Sequence, residues 1–261
     1  LLTRRNLGKR VIFVTNNSTQ SRQDQALRLR KYGIDVRPKQ IINSSYSAAR
    51  HISQVLKLPA NRNKVFVLGT TGIEDELDEW GIPHVGGSDA LLQRDTKTED
   101  LAQISDGSLL DPSVGVVVVG MDVKFNYLKL CLAAHYIKRG AIYLSTNTDA
   151  TWPAYGTVFP AAACIIDALF STVQQQPLLL GKPSLHMMDA VRGDFELDLK
   201  RTCMIGDSLA TDMSFAVSGG LGGFLLVLSG VTRVEECPSA PIALDHYLVL
   251  NSIADLNCTN I

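Results

Sequence analysis

The sequence predicts an α/β protein built on parallel sheets. Apolar runs of strand length alternate with segments of helical periodicity along most of the chain. The run Val114 to Val119 is apolar throughout, as a strand buried on both faces requires. Polar or glycine-bearing turns follow the apolar runs at Thr15–Ser18, Gly181-Lys182 and Gly206-Asp207, where an open parallel sheet places its ligand-binding residues.

The first strand is read in Arg10 to Val14, ahead of Thr15-Asn16-Asn17-Ser18. Ser21 to Tyr32 has helical spacing, with Ala26 and Leu29 on the buried stripe and Gly33 as the stop. Ile41-Ile42 is a short strand, Ser45 to Leu56 a helix and Pro59-Ala60-Asn61 a break. A second βα series then opens with a strand over Lys64 to Leu68, an acidic helix over Gly72 to Trp80 and a stop at Gly81. Gly86-Gly87-Ser88 is loop, and the polar stretch Thr96 to Pro112 is expected to be a long loop. After the Val114 strand come a helix over Phe125 to Lys138 and a strand over Ala141 to Leu144. Thr148 to Pro160, carrying Pro153, Gly156 and Pro160, reads as a turn-rich return connection. A helix over Ala162 to Val173, a strand over Leu178 to Leu180 and a helix after Gly181-Lys182-Pro183-Ser184 follow. The remainder is a strand over Thr202 to Ile205, a helix to Val217, a strand over Phe224 to Leu228 and a last one near Tyr247 to Leu250. The phrases Val11–Asn16 and Ile142–Asn147 are similar, which two α/β strands with polar ends would match by chance.

With 261 residues the chain fits two ordinary domains or one with a large insertion. A hydrophobic content of 46% and a net charge of −1 describe a globular protein with no electrostatic reason to bind nucleic acid or an anionic membrane. The longest apolar runs, Val114 to Met121 and Leu221 to Leu228, fall short of the ~20 residues of a helical span. Leu1 to Arg5 lacks the apolar core of a signal peptide. The five cysteines, Cys131, Cys164, Cys203, Cys237 and Cys258, are scattered without a Cys-x-x-Cys pair, so reduced thiols in a cytoplasmic protein are expected.

Three clusters carry chemistry. Thr15-Asn16-Asn17-Ser18 offers N–H groups and hydroxyls to an oxyanion, or else forms Asx turns that cap the next helix. Lys182, between a glycine that permits a sharp turn and Pro183, can face inward to neutralise a phosphoryl oxygen and a carboxylate, or lie exposed on a loop. Gly206-Asp207-Ser208-Leu209-Ala210-Thr211-Asp212 presents two acids after a buried strand. There Asp207 is the candidate ligand for a hard cation such as Mg²⁺, while Thr211 and Asp212 would orient its waters or Lys182. The alternative is an Asp that only caps a helix. Together the clusters supply what metal-assisted phosphoryl transfer needs in positioning and charge neutralisation.

Val14-Thr15-Asn16-Asn17-Ser18, Gly181-Lys182-Pro183 and Gly206-Asp207-x-x-x-Thr211-Asp212 resemble the second, third and fourth motifs of the haloacid dehalogenase superfamily. Val118–Asp122, Phe125-Asn126-Tyr127 and Gly219–Gly223 running into Leu225–Gly230 are similar to the 4-nitrophenylphosphatase and phosphoglycolate phosphatase branch, its fungal members above all. The resemblance implies a Rossmann-like core, residues 1–58 and 177–261, with an α/β cap inserted at 59–176. It implies that Thr15, Asn16 and Asn17 bind the phosphate, that Lys182 stabilises the intermediate and that Asp207 binds Mg²⁺; Lys182 and Asp212 are the candidate catalytic residues. Trp152 falls where the cap's substrate loop approaches, either to contact substrate or as packing. The implied activity is hydrolysis of small phosphorylated metabolites through an aspartyl-phosphate, by a protein whose relatives dimerise through the cap.

The chain departs from the family at several points. The Asp-x-Asp-Gly motif that supplies nucleophile and general acid occurs nowhere in residues 1–261. Beginning at Leu1, the chain is expected to be a fragment or an incompletely defined gene product, its core lacking the first strand, prone to aggregate at the exposed edges and inactive by itself. A catalytically inactive protein that binds a phosphometabolite or a protein partner is the alternative. Pro160-Ala161-Ala162-Ala163 stands where the family has Pro-Gly-x-Gly, and Ser208 where it has Arg or Lys, which puts loop conformation and local charge in question.

Overall fold

The computed structural model describes residues 8–237 and 246–257. The readings made for Leu1–Arg5 and Cys258 lie outside them. The chain divides into two compact units, Ile12–Gly181 and Leu1–Val11 with Lys182–Ile261.

In Ile12–Gly181 the order is β1 (Phe13–Thr15), α1 (Arg22–Lys31), β2 (Ile41–Asn43), α2 (Ser44–Gln54), β3 (Lys64–Leu68), α3 (Thr71–Glu79) and β4 (His84–Gly86). There follow α4 (Thr98–Asp106), β5 (Val114–Val119), α5 (Tyr127–Lys138), β6 (Ile142–Ser145), β7 (Thr151–Ala154), β8 (Thr157–Pro160), α6 (Ala162–Val173) and β9 (Leu178–Leu179). Five strands form one parallel sheet in the order β4-β3-β5-β6-β9. Its middle strand β5 is buried along its whole length. Alternation sorts the side chains: Phe66, Leu68, Val117 and Val119 pack with Leu132, Ile137, Ile165 and Leu169 of α5 and α6. Val65, Val67, Val116 and Val118 pack on the other face with Ala48, Ile52, Ile73 and Leu77 of α2 and α3. The result is a sheet covered on both sides by helices, which the valine run requires. β1 and β2 form a separate parallel pair, with Thr15 opposite Asn43. Ser21 caps α1 by accepting from Asp24 N, and Asn43 caps α2 by accepting from Tyr46 N at 2.7 Å.

Two segments differ most from the sequence reading, and β4 is a strand that the reading did not name, taking in Gly86 of a stretch read as loop. Thr96 to Pro112 is not a long loop, because α4 occupies its centre. Few apolar residues mark this helix, yet Ile104 is buried in the core and Gly107, at φ 92°, ends it. The Asp100 carboxylate accepts Lys97 N at 2.7 Å and both Arg94 amino groups at 2.6 and 2.7 Å. These bonds, chiefly those from Arg94, hold its pKa down at about 2. Thr148 to Pro160 contains an antiparallel hairpin, β7 with β8, turning at Tyr155 (φ 51°) and Gly156 (φ 75°). Among the described residues no third strand pairs with this hairpin, so Pro153 and Pro160 leave no ladder donor missed there.

The other unit contains α7 (Leu185–Asp194), β10 (Cys203–Gly206), a wide π-turn over Leu209–Met213, α8 (Ser214–Ser218), β11 (Gly223–Val227) and β12 (His246–Leu250). The strands form a parallel sheet in the order β10-β11-β12. Phe224 stacks on Tyr247 across β11 and β12 with ring centres 6.1 Å apart. Met187, Met188 and Val191 of α7 are buried with Phe215 and Ala216 of α8.

Candidate active site

β10 delivers Gly206 and Asp207 to its C-terminal end, and the π-turn that follows brings Asp212 back over them. Its wide i→i+5 bond runs from Met213 N to Ser208 O at 3.1 Å. Gly206 has no substitute here, since a Cβ would lie 2.3 Å from both Cγ and Oδ2 of Asp212. Asp212 Oδ2 accepts the backbone N–H of Asp207 at 3.1 Å and of Ser208 at 3.2 Å. Its Oδ1 accepts from Lys182 Nζ at 2.5 Å. Both side chains are buried, Asp212 at 3% and Lys182 at 8% exposure, so the ion pair and its two N–H bonds compensate charges withdrawn from water. Asp212 therefore orients Lys182 and shapes the turn. Ser208, in place of a basic residue, caps the turn by accepting from Thr211 N at 3.2 Å.

Asp207 is held from a second direction. Its Oδ2 accepts from Val231 N at 2.9 Å, and its carbonyl accepts from Thr232 N at 2.9 Å. The buried Thr232 Oγ1 accepts from Leu209 N at 3.3 Å, closing the loop. Gly230 makes this possible, since a Cβ there would fall 1.8 Å from Asp207 Oδ2. The Asp207 carboxylate is thus fixed and half-buried, with Oδ1 outside these bonds. Among the described residues no three His, Cys, Asp or Glu side chains gather to hold a metal. A single fixed carboxylate is nonetheless a donor set that Mg²⁺ accepts, because that ion keeps several waters and takes one or two carboxylates together with substrate phosphate. Asp207 fits the ion; Asp212, fully engaged, does not.

In Ile12–Gly181 the turn after β1 is built from its own side chains. Asn17 N donates to Thr15 Oγ1 at 3.2 Å, while Thr19 N and Oγ1 donate to Asn17 Oδ1 at 2.9 and 2.7 Å. This Asx turn engages the carboxamide oxygen of Asn17 and leaves its Nδ2 donors and the Thr15 hydroxyl hydrogen directed elsewhere. Asn16, 9% exposed, is held by Ser44, Asn147 and Asp149. Trp152 lies on β7 with its ring 5.6 Å from that of Phe159 on β8, its indole nitrogen buried without a hydrogen-bond partner. Ala161 caps α6 at φ −113°, so alanine in place of the family's glycine is unstrained there.

Lys182, Asp207 and Asp212 therefore come together in one unit, and Thr15, Asn16 and Asn17 form one turn in the other. Sequence reasoning missed Thr232, Asn147 and Asp149. Asn147 alone of the three left a signal: Asn16 and Asn147 end the two similar phrases, and the structure joins them by a hydrogen bond.

A family of haloacid dehalogenase-like hydrolases matches residues 1–83, and one described as HAD-hydrolase-like matches residues 179–256. The 4-nitrophenylphosphatase of Schizosaccharomyces pombe is 44% identical over 94% of this chain and 81% of its own length. Phosphoglycolate phosphatase 1A of Arabidopsis thaliana, a chloroplastic protein, is 37% identical over 92% of this chain and 66% of its own length. Among solved structures, a hypothetical protein of Pyrococcus horikoshii superposes with a TM-score of 0.80 at 31% identity, covering 98% of this chain and 89% of that one. A glycerol phosphate phosphatase of Mycobacterium tuberculosis, solved with magnesium, gives 0.72 at 26% identity over 92% of this chain and 65% of its own.

Proposed function

The chain belongs to the phosphoric monoester hydrolases of the haloacid dehalogenase superfamily, in the 4-nitrophenylphosphatase and phosphoglycolate phosphatase family, and from that membership we propose a magnesium-dependent phosphatase of small phosphorylated metabolites. The observation that carries the reading is the Lys182–Asp212–Asp207 arrangement, in which one buried carboxylate fixes a lysine and the turn that presents a second carboxylate.

In this reading Thr15, Asn16 and Asn17 bind the phosphate as neutral donors. Lys182, held in place by Asp212, neutralises charge on the phosphoryl oxygens. Asp207, fixed by Val231 N, would hold Mg²⁺, which supplies further charge neutralisation when bound. The nucleophile of the family's aspartyl-phosphate chemistry belongs to Asp-x-Asp-Gly, absent from residues 1–261, so this stretch by itself is proposed to be inactive. The proposal extends to a core of residues 1–58 and 177–261 with a cap at 59–176, Trp152 at the substrate, a cap-mediated homodimer and a cytoplasmic setting. No helix among the described residues is long and apolar enough to cross a membrane.

Calorimetric titration with MgCl₂ in the presence of inorganic phosphate tests the metal assignment. Saturable binding is expected for the parent chain and its loss for Asp207→Asn. Equal binding by the two would remove Asp207 from the metal site.

A further inference from the structure

We propose that Asn147 and Asp149 are positioning residues for the phosphate-binding turn at Thr15–Asn17, tying it to the exit of β6 and so to the β7–β8 hairpin. The inference rests on the phosphate-binding role given to that turn above.

Two donors converge on one carbonyl. Asn147 Nδ2 donates to Asn16 O at 2.9 Å, and Ser44 Oγ donates to the same oxygen at 2.7 Å. Asn147 and Ser44 are buried, at 5% and 0% exposure, so water does not replace either bond. A carbonyl held from two sides has a fixed peptide plane, and with it is fixed the Asn17 N–H, which donates to Thr15 Oγ1. Were the carbonyl released, the plane could rotate and set an acceptor where the anion needs a donor.

The side chain of Asn16 is fixed as well. Its Nδ2 donates to Asp149 Oδ1 at 3.2 Å, and Asn147 Oδ1 accepts from Asp149 N at 3.1 Å, so the two holding residues are locked to each other. On another side Gly181 packs so closely that a Cβ would lie 2.8 Å from Asn16 Oδ1 and 2.2 Å from Thr146 O. Asn16 is thus gripped at carbonyl and carboxamide by residues immediately after β6. β7, with Trp152, begins at Thr151 in the same segment. Whatever displaces the hairpin pulls on the residues that aim the turn.

The test is a titration of the full chain with inorganic phosphate, read from the ¹⁵N amide shifts of Thr15, Asn16 and Asn17, alongside thermal unfolding. Asn147→Asp removes the donor and sets a carboxylate against the Asn16 carbonyl. Asp149→Ala removes the acceptor, whereas Asp149→Asn keeps it. Weakening of phosphate binding by about tenfold is expected for Asn147→Asp and Asp149→Ala, the scale of one hydrogen bond. Asp149→Asn is expected to bind phosphate like the parent. Should Asn147→Asp fail to fold, the two Asp149 variants carry the comparison. Parent-like affinity in Asp149→Ala, with only its unfolding temperature lowered, would reduce these residues to packing and overturn the inference. If the parent's Thr15–Asn17 amides do not respond to phosphate at all, the reading of the turn falls, and this inference with it.

Discussion

Replacing Asp212 by alanine is expected to cost about 3–5 kcal/mol of stability, the scale of removing one partner of a buried ion pair. The change leaves the Lys182 ammonium buried without its acceptor and withdraws the acceptor from the N–H groups of Asp207 and Ser208. It also empties the space over Gly206 that the carboxylate fills. The turn carrying Asp207 then loses one of its two supports, the other being the Val231–Thr232 segment. Magnesium binding should weaken along with stability. Asp212→Asn, which preserves the shape and one acceptor, should fall between alanine and parent. Urea unfolding of the three proteins measures the order, and an alanine variant as stable as the parent would show that the pair carries no such weight.

The second large effect is expected at Lys129, far in sequence from these motifs. Its side chain is completely buried on α5, donating to Asp122 Oδ2 at 2.8 Å and to Gly87 O at 2.9 Å. Asp122 Oδ1 in turn accepts from Lys124 N at 2.8 Å. Lys129→Met keeps most of the length of the side chain but strands a buried carboxylate and a buried carbonyl, so a loss of about 3–5 kcal/mol is expected. Lys129→Met combined with Asp122→Leu removes the orphaned charge and should recover part of that loss. A double variant less stable than Lys129→Met in urea unfolding would contradict this account of the pair.

Much of this architecture was legible because strand burial and turn chemistry leave strong marks. The Val114–Val119 run is the middle strand, and Ser21 and Asn43 sit at helix starts where their side chains cap. The Gly-Asp turn after β10 was readable because Gly206 must yield its Cβ to Asp212. α4 was not, since Asp100 and Arg94 stabilise its start through side-chain bonds that no hydrophobic period reveals. The hairpin was hidden by its prolines, which argue against strands unless the pair stands alone. Thr232, Asn147 and Asp149 act through contacts to residues more than twenty positions away, and spacing within a motif does not encode such contacts.

The central claim is tested most directly by magnesium-dependent hydrolysis of 4-nitrophenyl phosphate. It should be measured for residues 1–261 and for the same chain with an added N-terminal strand bearing Asp-x-Asp-Gly. No turnover is expected from the first. Turnover is expected from the second, and it should disappear with Asp207→Asn or Lys182→Met. Magnesium-dependent hydrolysis by residues 1–261 alone, or activity in the extended chain indifferent to Asp207 and Lys182, would contradict the account.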